Sequence, residues 1–147
     1  MLRDGYDVSL LNDGFRDLIR ELQLDVLIID THPGLNEETL LSIAMSHVLA
    51  IILRPDQQDY QGTGVTVEVA RKLGVPRLVL IVNKVPDVFD PGEVRRRVEA
   101  TYHAEVAAVL PHSDDMMALA SAGIFVLRCP DDPMTSALAQ VTAALVA

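Results

Sequence analysis

Residues 24–35, with the sequence LDVLIIDTHPGL, join an apolar run to a carboxylate and a tight turn. Asp30 ends the run, and Pro33 and Gly34 follow it. Magnesium takes few protein carboxylates and keeps several waters, so one Asp at a strand end can hold a magnesium-bound water. The Pro-Gly turn can bring backbone N–H groups near a terminal phosphate. We predict Asp30 as the magnesium-side carboxylate and Gly34 as part of the phosphate-side turn; capping of the turn by Asp30 is the structural alternative.

A second polar group lies in the stretch LVLIVNKVPD. The Asn83 side chain offers a paired hydrogen-bond donor and acceptor, which matches the edge of a purine base. We predict Asn83 as a base-reading residue. An ordinary turn at a strand end, before Pro86, is the alternative.

A third group lies in the stretch VLPHSDDM. An apolar run ends there at Pro111, and Ser113 precedes a helical pattern. A strand followed by proline and a capped helix can form the wall of a base pocket. Capping of the helix by Ser113 alone would explain the same residues.

Charged residues offer weaker signals. Arg54 and Asp56, in the polar stretch 54–64, could face a phosphate or a partner, or could belong to a solvated loop. The three arginines at 95–97 are typical of a solvated helix face.

Short apolar runs rich in Val, Ile and Leu would position these groups. Strands buried on both faces of a parallel sheet have this composition. The runs are residues 25–30, 48–53 and 77–83, with 105–111 as a fourth candidate and 124–129 as a fifth.

Helical patterns alternate with these runs. They cover residues 13–23, 36–47 and 61–73, and three more begin at Asp90, Ser113 and Asp132. Alternation of this kind predicts an α/β fold in one domain over residues 1–147, with a parallel sheet of about four to five strands flanked by helices. The candidate residues follow the carboxyl ends of the strands, where parallel sheets bind ligands.

Composition limits the class of protein. The 147 residues carry a net charge of −9, which argues against a broad nucleic-acid surface. Cys129 is the single cysteine, so an internal disulfide is excluded and a reducing, cytoplasmic location fits. The longest apolar run, residues 43–53, is too short to span a bilayer, so we expect no membrane segment.

The order and spacing of these features resemble the C-terminal part of MinD/ParA-type ATPases, the deviant-Walker branch of the P-loop NTPases. The resemblance covers roughly residues 20 to 147 and is carried by the stretches LDVLIIDTHPGL, VLAIILRPDQQDYQGT, RLVLIVNKV and AVLPHSDDMMALASAGIFVLRCPDDPMTSALAQVTAAL. It implies Asp30 as the Walker B aspartate, Gly34 in the switch II turn, Asn83 as the adenine-reading residue and Pro111 in the base-side loop. It also implies ATP and magnesium as ligands and a role in the spatial organisation or partitioning of cellular cargo.

The chain departs from that family in two ways. The family has a carboxylate two residues after the base-side proline, where this chain has Ser113. No Gly-x-x-x-x-Gly-Lys-Ser/Thr sequence occurs in the 147 residues, so the loop that would bind the β- and γ-phosphates is missing. We therefore expect a portion of a longer ATPase domain that does not hydrolyse ATP or bind it tightly as the isolated chain.

Three other readings remain open. Asn83-Lys84 resembles the Asn-Lys-x-Asp element of a GTPase, but position 86 is Pro and the acid comes at Asp87. Asp30 and Lys84 would suit a phosphoacceptor receiver domain, which also needs an acidic pair after an earlier strand. The chain could instead be a non-catalytic interaction module.

The missing phosphate-loop strand also bears on the sheet. In the family it lies between the strands that correspond to 25–30 and 48–53. We expect those two segments to pair directly, and we expect a homodimer or other self-association at the exposed edges.

Overall fold

A computed structural model describes residues 8–147, with side-chain environments given from Leu10 onward. The chain divides into two units, the first ending at Ser46 and the second spanning His47–Ala147.

The first unit contains two helices, α1 (Val8–Leu22) and α2 (Glu37–Met45). The sequence predicted both, as 13–23 from its periodicity and 36–47 from its capping residue. The apolar stripe of α1 is largely exposed, with Leu22 at 63%. Asn36 caps α2, because its side chain accepts a hydrogen bond from the Thr39 backbone N–H at 2.8 Å.

Residues 25–30 were wrongly predicted as a strand. They have no regular secondary structure, and Val26 and Ile28 are 54% and 83% exposed. Branched apolar residues favour strands, but a strand forms only where its backbone finds a partner. Since residues 25–30 form no strand, the predicted ladder between 25–30 and 48–53 is wrong for the residues that the structure describes.

The second unit alternates strands and helices. Its elements are β1 (Val48–Leu53), α3 (Gln57–Lys72), β2 (Arg77–Val85), α4 (Pro91–Tyr102), β3 (Glu105–Pro111), α5 (Asp114–Leu119), α6 (Phe125–Arg128) and α7 (Pro133–Val146). The strands form one parallel sheet in the order β1-β2-β3. The α/β class and the parallel sheet are confirmed, with three strands in the described residues where four to five were expected.

Alternate residues of the strands build two apolar layers. Leu80 and Val82 of β2 pack with Val67 of α3 and Val98 of α4 on one face. The opposite face carries a second cluster, in which Ile81 of β2 packs with residues of β3, α6 and α7. Helices therefore cover both sides of the sheet, which explains why its strands are continuously apolar.

Carboxylates begin three of these helices. The side chains of Asp56, Asp90 and Asp132 accept backbone N–H groups at the starts of α3, α4 and α7. This makes α3 begin at Gln57, earlier than the predicted residue 61, so most of the supposed loop 54–64 is helical. At its other end the chain leaves the helix through Gly74, whose φ of +75° suits glycine.

Residues 124–129 were also wrongly predicted as a strand. Phe125–Arg128 form α6, with the Cys129 N–H donating to the Phe125 carbonyl at 2.8 Å. Phe125 is buried while Leu127 is 74% exposed, so burial of one aromatic side chain outweighs the strand preference of the run.

Tyr102 joins α3 to α4. Its hydroxyl donates to the Tyr60 carbonyl at 2.7 Å, and the two rings stack with centroids 6.2 Å apart. Arg71 donates to the carbonyls of Tyr102 and His103 at the end of α4. Burial, reinforced by the nearby Tyr60, raises the pKa of Tyr102 to about 12.

We predict that alkaline pH destabilises the fold through Tyr102. The unfolded chain loses this proton near pH 10.0 and the folded chain near pH 12, so the free energy of unfolding should fall as pH rises across that window. Urea unfolding at both ends of the window measures the fall. Tyr102→Phe removes this hydrogen bond, so its free energy of unfolding at neutral pH should be about 1 kcal/mol lower than that of the wild-type chain. The variant should also show a smaller fall in the free energy of unfolding at alkaline pH. Equal falls in the two proteins would contradict the assignment.

Candidate functional site

Asn83 lies in an irregular part of β2. Val82 pairs with Val109 and Val85 with Pro111, so two residues of β2 oppose one of β3. This is a bulge, a feature that re-aims side chains and is frequent next to binding sites. Lys84 adopts a φ of +56° there, which is uncommon for a residue with a side chain.

The Asn83 side chain stabilises this bulge. Its Oδ1 accepts a hydrogen bond from the Lys84 backbone N–H at 2.8 Å. Among the described residues its side-chain NH₂ group has no partner, and Oδ1 retains a second lone pair. Asn83 is half-buried, so it can still present a donor and an acceptor to a ligand.

The structure brings Asn83 and Pro111 to neighbouring strand ends. Pro111 is the register partner of Val85, two residues after Asn83. The His112 N–H then donates to the Val85 carbonyl at 3.1 Å, which holds the start of the following loop against β2. Two residues that the sequence predicted for one base pocket therefore share the carboxyl edge of the sheet.

Ser113 has a structural role in this loop. Its hydroxyl accepts the Met116 N–H at 3.1 Å and caps α5. The neighbouring His112 ring nitrogen Nε2 lies 3.1 Å from a carboxylate oxygen of Asp114. The loop is therefore fixed by its own hydrogen bonds.

Arg54, at the carboxyl end of β1, is committed to an internal ion pair. Its backbone N–H and Nε donate to Asp59 at 2.8 and 3.1 Å. Hydrogen bonds from Arg54 lower the pKa of Asp59, and Asp59 in turn raises the pKa of Arg54. Asp56 caps α3 and lies 3.4 Å from the Arg54 guanidinium. These groups hold the strand-to-helix turn together.

Asp30 and Gly34 belong to the first unit. Asp30 is exposed and makes no hydrogen bond or ion pair with any described residue, so its carboxylate is free to hold a magnesium-bound water. Gly34 has a φ of +100°, which explains glycine at this turn. No group of three or more histidine, cysteine or carboxylate side chains that could hold a metal ion occurs in residues 8–147.

Sequence reasoning missed two features of this region. No glycine marks the bulge at Asn83–Lys84, so nothing local in the sequence reveals it. Arg97 is exposed, as predicted for a solvated helix face, but it also lies over the Tyr60 ring with its guanidinium carbon 5.6 Å from the centroid. Because these two residues are far apart in the chain, only the packing of α4 against α3 brings them together.

The chain shows similarity to known proteins in sequence and in fold. No family model matches the chain. An uncharacterised ATP-binding protein of Methanocaldococcus jannaschii is 25% identical over 124 residues, which cover 84% of this chain and 47% of that protein. The chain thus spans about half the length of that relative.

The chain also resembles solved structures in fold. The cell division protein MinD of Aquifex aeolicus superposes with a TM-score of 0.79 over 95% of this chain and 60% of its own, at 13% identity. A chain of the MinC:MinD cell division protein complex of the same organism gives the same TM-score over 97% of this chain and 59% of its own, at 13% identity. The fold is therefore MinD-like. No described helix has the length and apolar character needed to cross a membrane.

We predict that Lys84→Gly leaves the fold as stable as before or raises the free energy of unfolding by up to about 1 kcal/mol. The positive φ is strained for lysine, and glycine removes that strain at the cost of extra chain entropy. Urea unfolding measures the change. Arg96→Gly, on an exposed position of α4, is the matched control and should lose about 1 kcal/mol. Equal losses in the two variants would contradict strain at Lys84.

Proposed function

We propose that this chain is related to the MinD/ParA-type ATPases, with magnesium-side residues in its first unit and base-side residues in its second. The MinD-like fold carries the proposal. The relative of M. jannaschii that is described as ATP-binding adds support. A role in the spatial organisation or partitioning of cellular cargo is the biological function that follows from this relationship.

The base side consists of Asn83, Pro111 and Ser113. The free NH₂ group and remaining lone pair of Asn83 suit the donor and acceptor edge of adenine. Pro111, at the neighbouring strand end, offers an apolar wall for the base. Ser113 keeps this loop in position by capping α5, and its remaining hydrogen-bonding capacity is available to the nucleotide.

The magnesium side consists of Asp30 and Gly34. The exposed, unpaired carboxylate of Asp30 would hold a magnesium-bound water, as a Walker B aspartate does. Gly34 allows the turn that follows. Magnesium bound there would offset the negative charge of the phosphates.

Tight binding of ATP requires a phosphate-binding loop in addition to these residues. The 147 residues contain no glycine-rich loop with its lysine to surround the β- and γ-phosphates. The chain by itself is therefore proposed to bind ATP weakly, through base and magnesium, and not to hydrolyse it.

A titration of the ¹⁵N-labelled chain with Mg-ATP tests this proposal. We expect millimolar affinity, spectral shifts at Asn83, His112 and Ser113, and no release of phosphate. Asp30→Ala should abolish the dependence of binding on magnesium, because it removes the proposed carboxylate. Micromolar affinity or turnover would contradict the expectation from the missing loop, and absence of shifts at Asn83 would contradict the base side.

Asn83→Asp isolates the base contact. Aspartate keeps the oxygen that accepts the Lys84 N–H but removes the NH₂ donor, so the fold should survive. We expect the affinity for ATP to fall about fivefold, which corresponds to the free energy of one lost hydrogen bond. Gln140→Ala, an exposed amide on α7, is the control and should leave the affinity unchanged.

We propose in addition that the chain self-associates through β1. Among the described residues β1 is paired on one edge only, with β2, and its Ala50 and Ile52 are exposed. An apolar edge strand without charges is a template for pairing with a second copy.

Sedimentation velocity over a range of concentrations measures this association. Ile52→Lys should shift the chain toward monomer, because lysine on an edge strand opposes pairing. Leu127→Lys, at an exposed apolar position on α6, should not shift it. A wild-type chain that stays monomeric at all concentrations would contradict this part of the proposal.

A further inference from the structure

A groove lies between the N-terminal ends of α3 and α4, within the second unit. We call it the α3–α4 groove. Its volume is about 500 Å³, within the range of ligand-binding clefts. Residues 55–60 line one side and residues 89–97 the other.

Apolar groups form the walls of the groove. Pro55 and Tyr60 contribute on the α3 side, and Phe89 and Val94 on the α4 side. Val94 is almost fully buried, whereas Phe89 remains 47% exposed beside Val88, which is 86% exposed. The apolar surface therefore continues out of the groove onto the loop before α4.

Carboxylates set the charge of the groove. Asp56, Asp90 and Glu93 line it, against one cation, Arg97. Among the described residues the Glu93 side chain makes no hydrogen bond or ion pair, and Asp90 uses only Oδ1, to accept the Glu93 N–H at 2.8 Å. Carboxylate oxygens are therefore left to accept hydrogen bonds from a ligand.

The start of a helix ordinarily favours an anion, and two helices start here. In this groove Asp56 and Asp90 each already accept one N–H group of the first helical turn, that of Asp59 in α3 and that of Glu93 in α4. An incoming phosphate or carboxylate would meet those side chains and Glu93. The groove therefore selects a cation.

The single lining cation does not cancel this selectivity. The Arg97 guanidinium lies over the Tyr60 ring, and it forms no ion pair with a described residue. The ring keeps this charge at the wall of the groove. Asp56 is paired with Arg54 at 3.4 Å, so the excess of negative charge comes from Asp90 and Glu93 against the guanidinium of Arg97.

We infer that the α3–α4 groove is a docking site for a lysine- or arginine-bearing segment of a partner protein. The aliphatic part of that side chain would pack on Tyr60, Phe89 and Val94, and its charged end would reach Glu93 and Asp90. Apolar residues that flank it in the partner would cover Val88 and the exposed side of Phe89. Charge complementarity of this kind determines specificity and the rate of association. The inference is independent of ATP binding.

Titration of the ¹⁵N-labelled chain with a defined peptide tests the inference. The probe is Ac-Leu-Ala-Lys-Ala-Leu-NH₂. Two matched peptides carry norleucine or glutamate in place of the lysine, and free spermidine provides a cation without flanking residues. We expect spectral shifts at residues 56–60 and 89–97 with the lysine peptide, much weaker binding of the norleucine peptide and none of the glutamate peptide.

A double variant tests whether Asp90 and Glu93 bind the lysine of the peptide. Asp90→Asn with Glu93→Gln removes two charges while asparagine still caps α4, so the fold should persist. The affinity for the lysine peptide should fall about fivefold, as expected for two partly exposed ion pairs. Asp115→Asn with Asp131→Asn removes two exposed charges outside the groove and should leave the affinity unchanged.

Three results would overturn the inference. Equal binding of the lysine and norleucine peptides would remove the role of charge. Equal losses in the two double variants would reduce the effect to the net charge of the chain. Spermidine that binds as tightly as the peptide, at the same residues, would identify a site for free organic cations and not for a protein segment.

Discussion

The burial of β2 is the constraint on which the second unit depends. This strand has a hydrogen-bonded neighbour on each edge, and its residues Val79, Leu80, Ile81 and Val82 are between 0 and 5% exposed. A strand enclosed on four sides has no polar surface to offer, so water must be excluded by helices on both faces. The positions of α3, α4 and α7 follow from that requirement, and so does the point at which β2 first meets solvent. That point is the bulge at Asn83 and Lys84.

The sequence predicted the parts of this arrangement that depend on local chemistry. The three strands of the sheet lie within two residues of their predicted bounds, and the capped helices begin at the predicted asparagine, aspartates and serine. The segment 25–30 shares with β1 a core of Val, Leu and Ile, yet it forms no strand, because pairing is decided by neighbours in space. The segment 124–129 became a helix for a similar reason, since burial of Phe125 sets its orientation.

In the candidate site, too, the sequence predicted what depends on residue type but not what depends on packing. Residue types were enough to select Asn83 and Pro111, and parallel pairing explains why they share an edge of the sheet. The bulge that orients Asn83 depends on the register between β2 and β3, which no local pattern encodes. Ser113 illustrates the opposite case, because the simpler prediction, helix capping, accounts for every hydrogen bond that its hydroxyl makes here. The capping carboxylates Asp56 and Asp90 have a double effect, since they stabilise two helices and also give the groove between them its negative charge.

The sequential strand order has a consequence for how the second unit forms during synthesis. Each strand pairs with the next one along the chain, and the register partners Val48 and Arg77 are about thirty residues apart. Closing loops of this length costs little entropy compared with long-range pairings. A chain leaving the ribosome can therefore complete the β1–β2 ladder before β3 has been made, and β3 can add to an edge that already exists. Until β3 and α7 arrive, that intermediate exposes the apolar side of β2 that carries Ile81, which is the stage at which a chaperone would protect it.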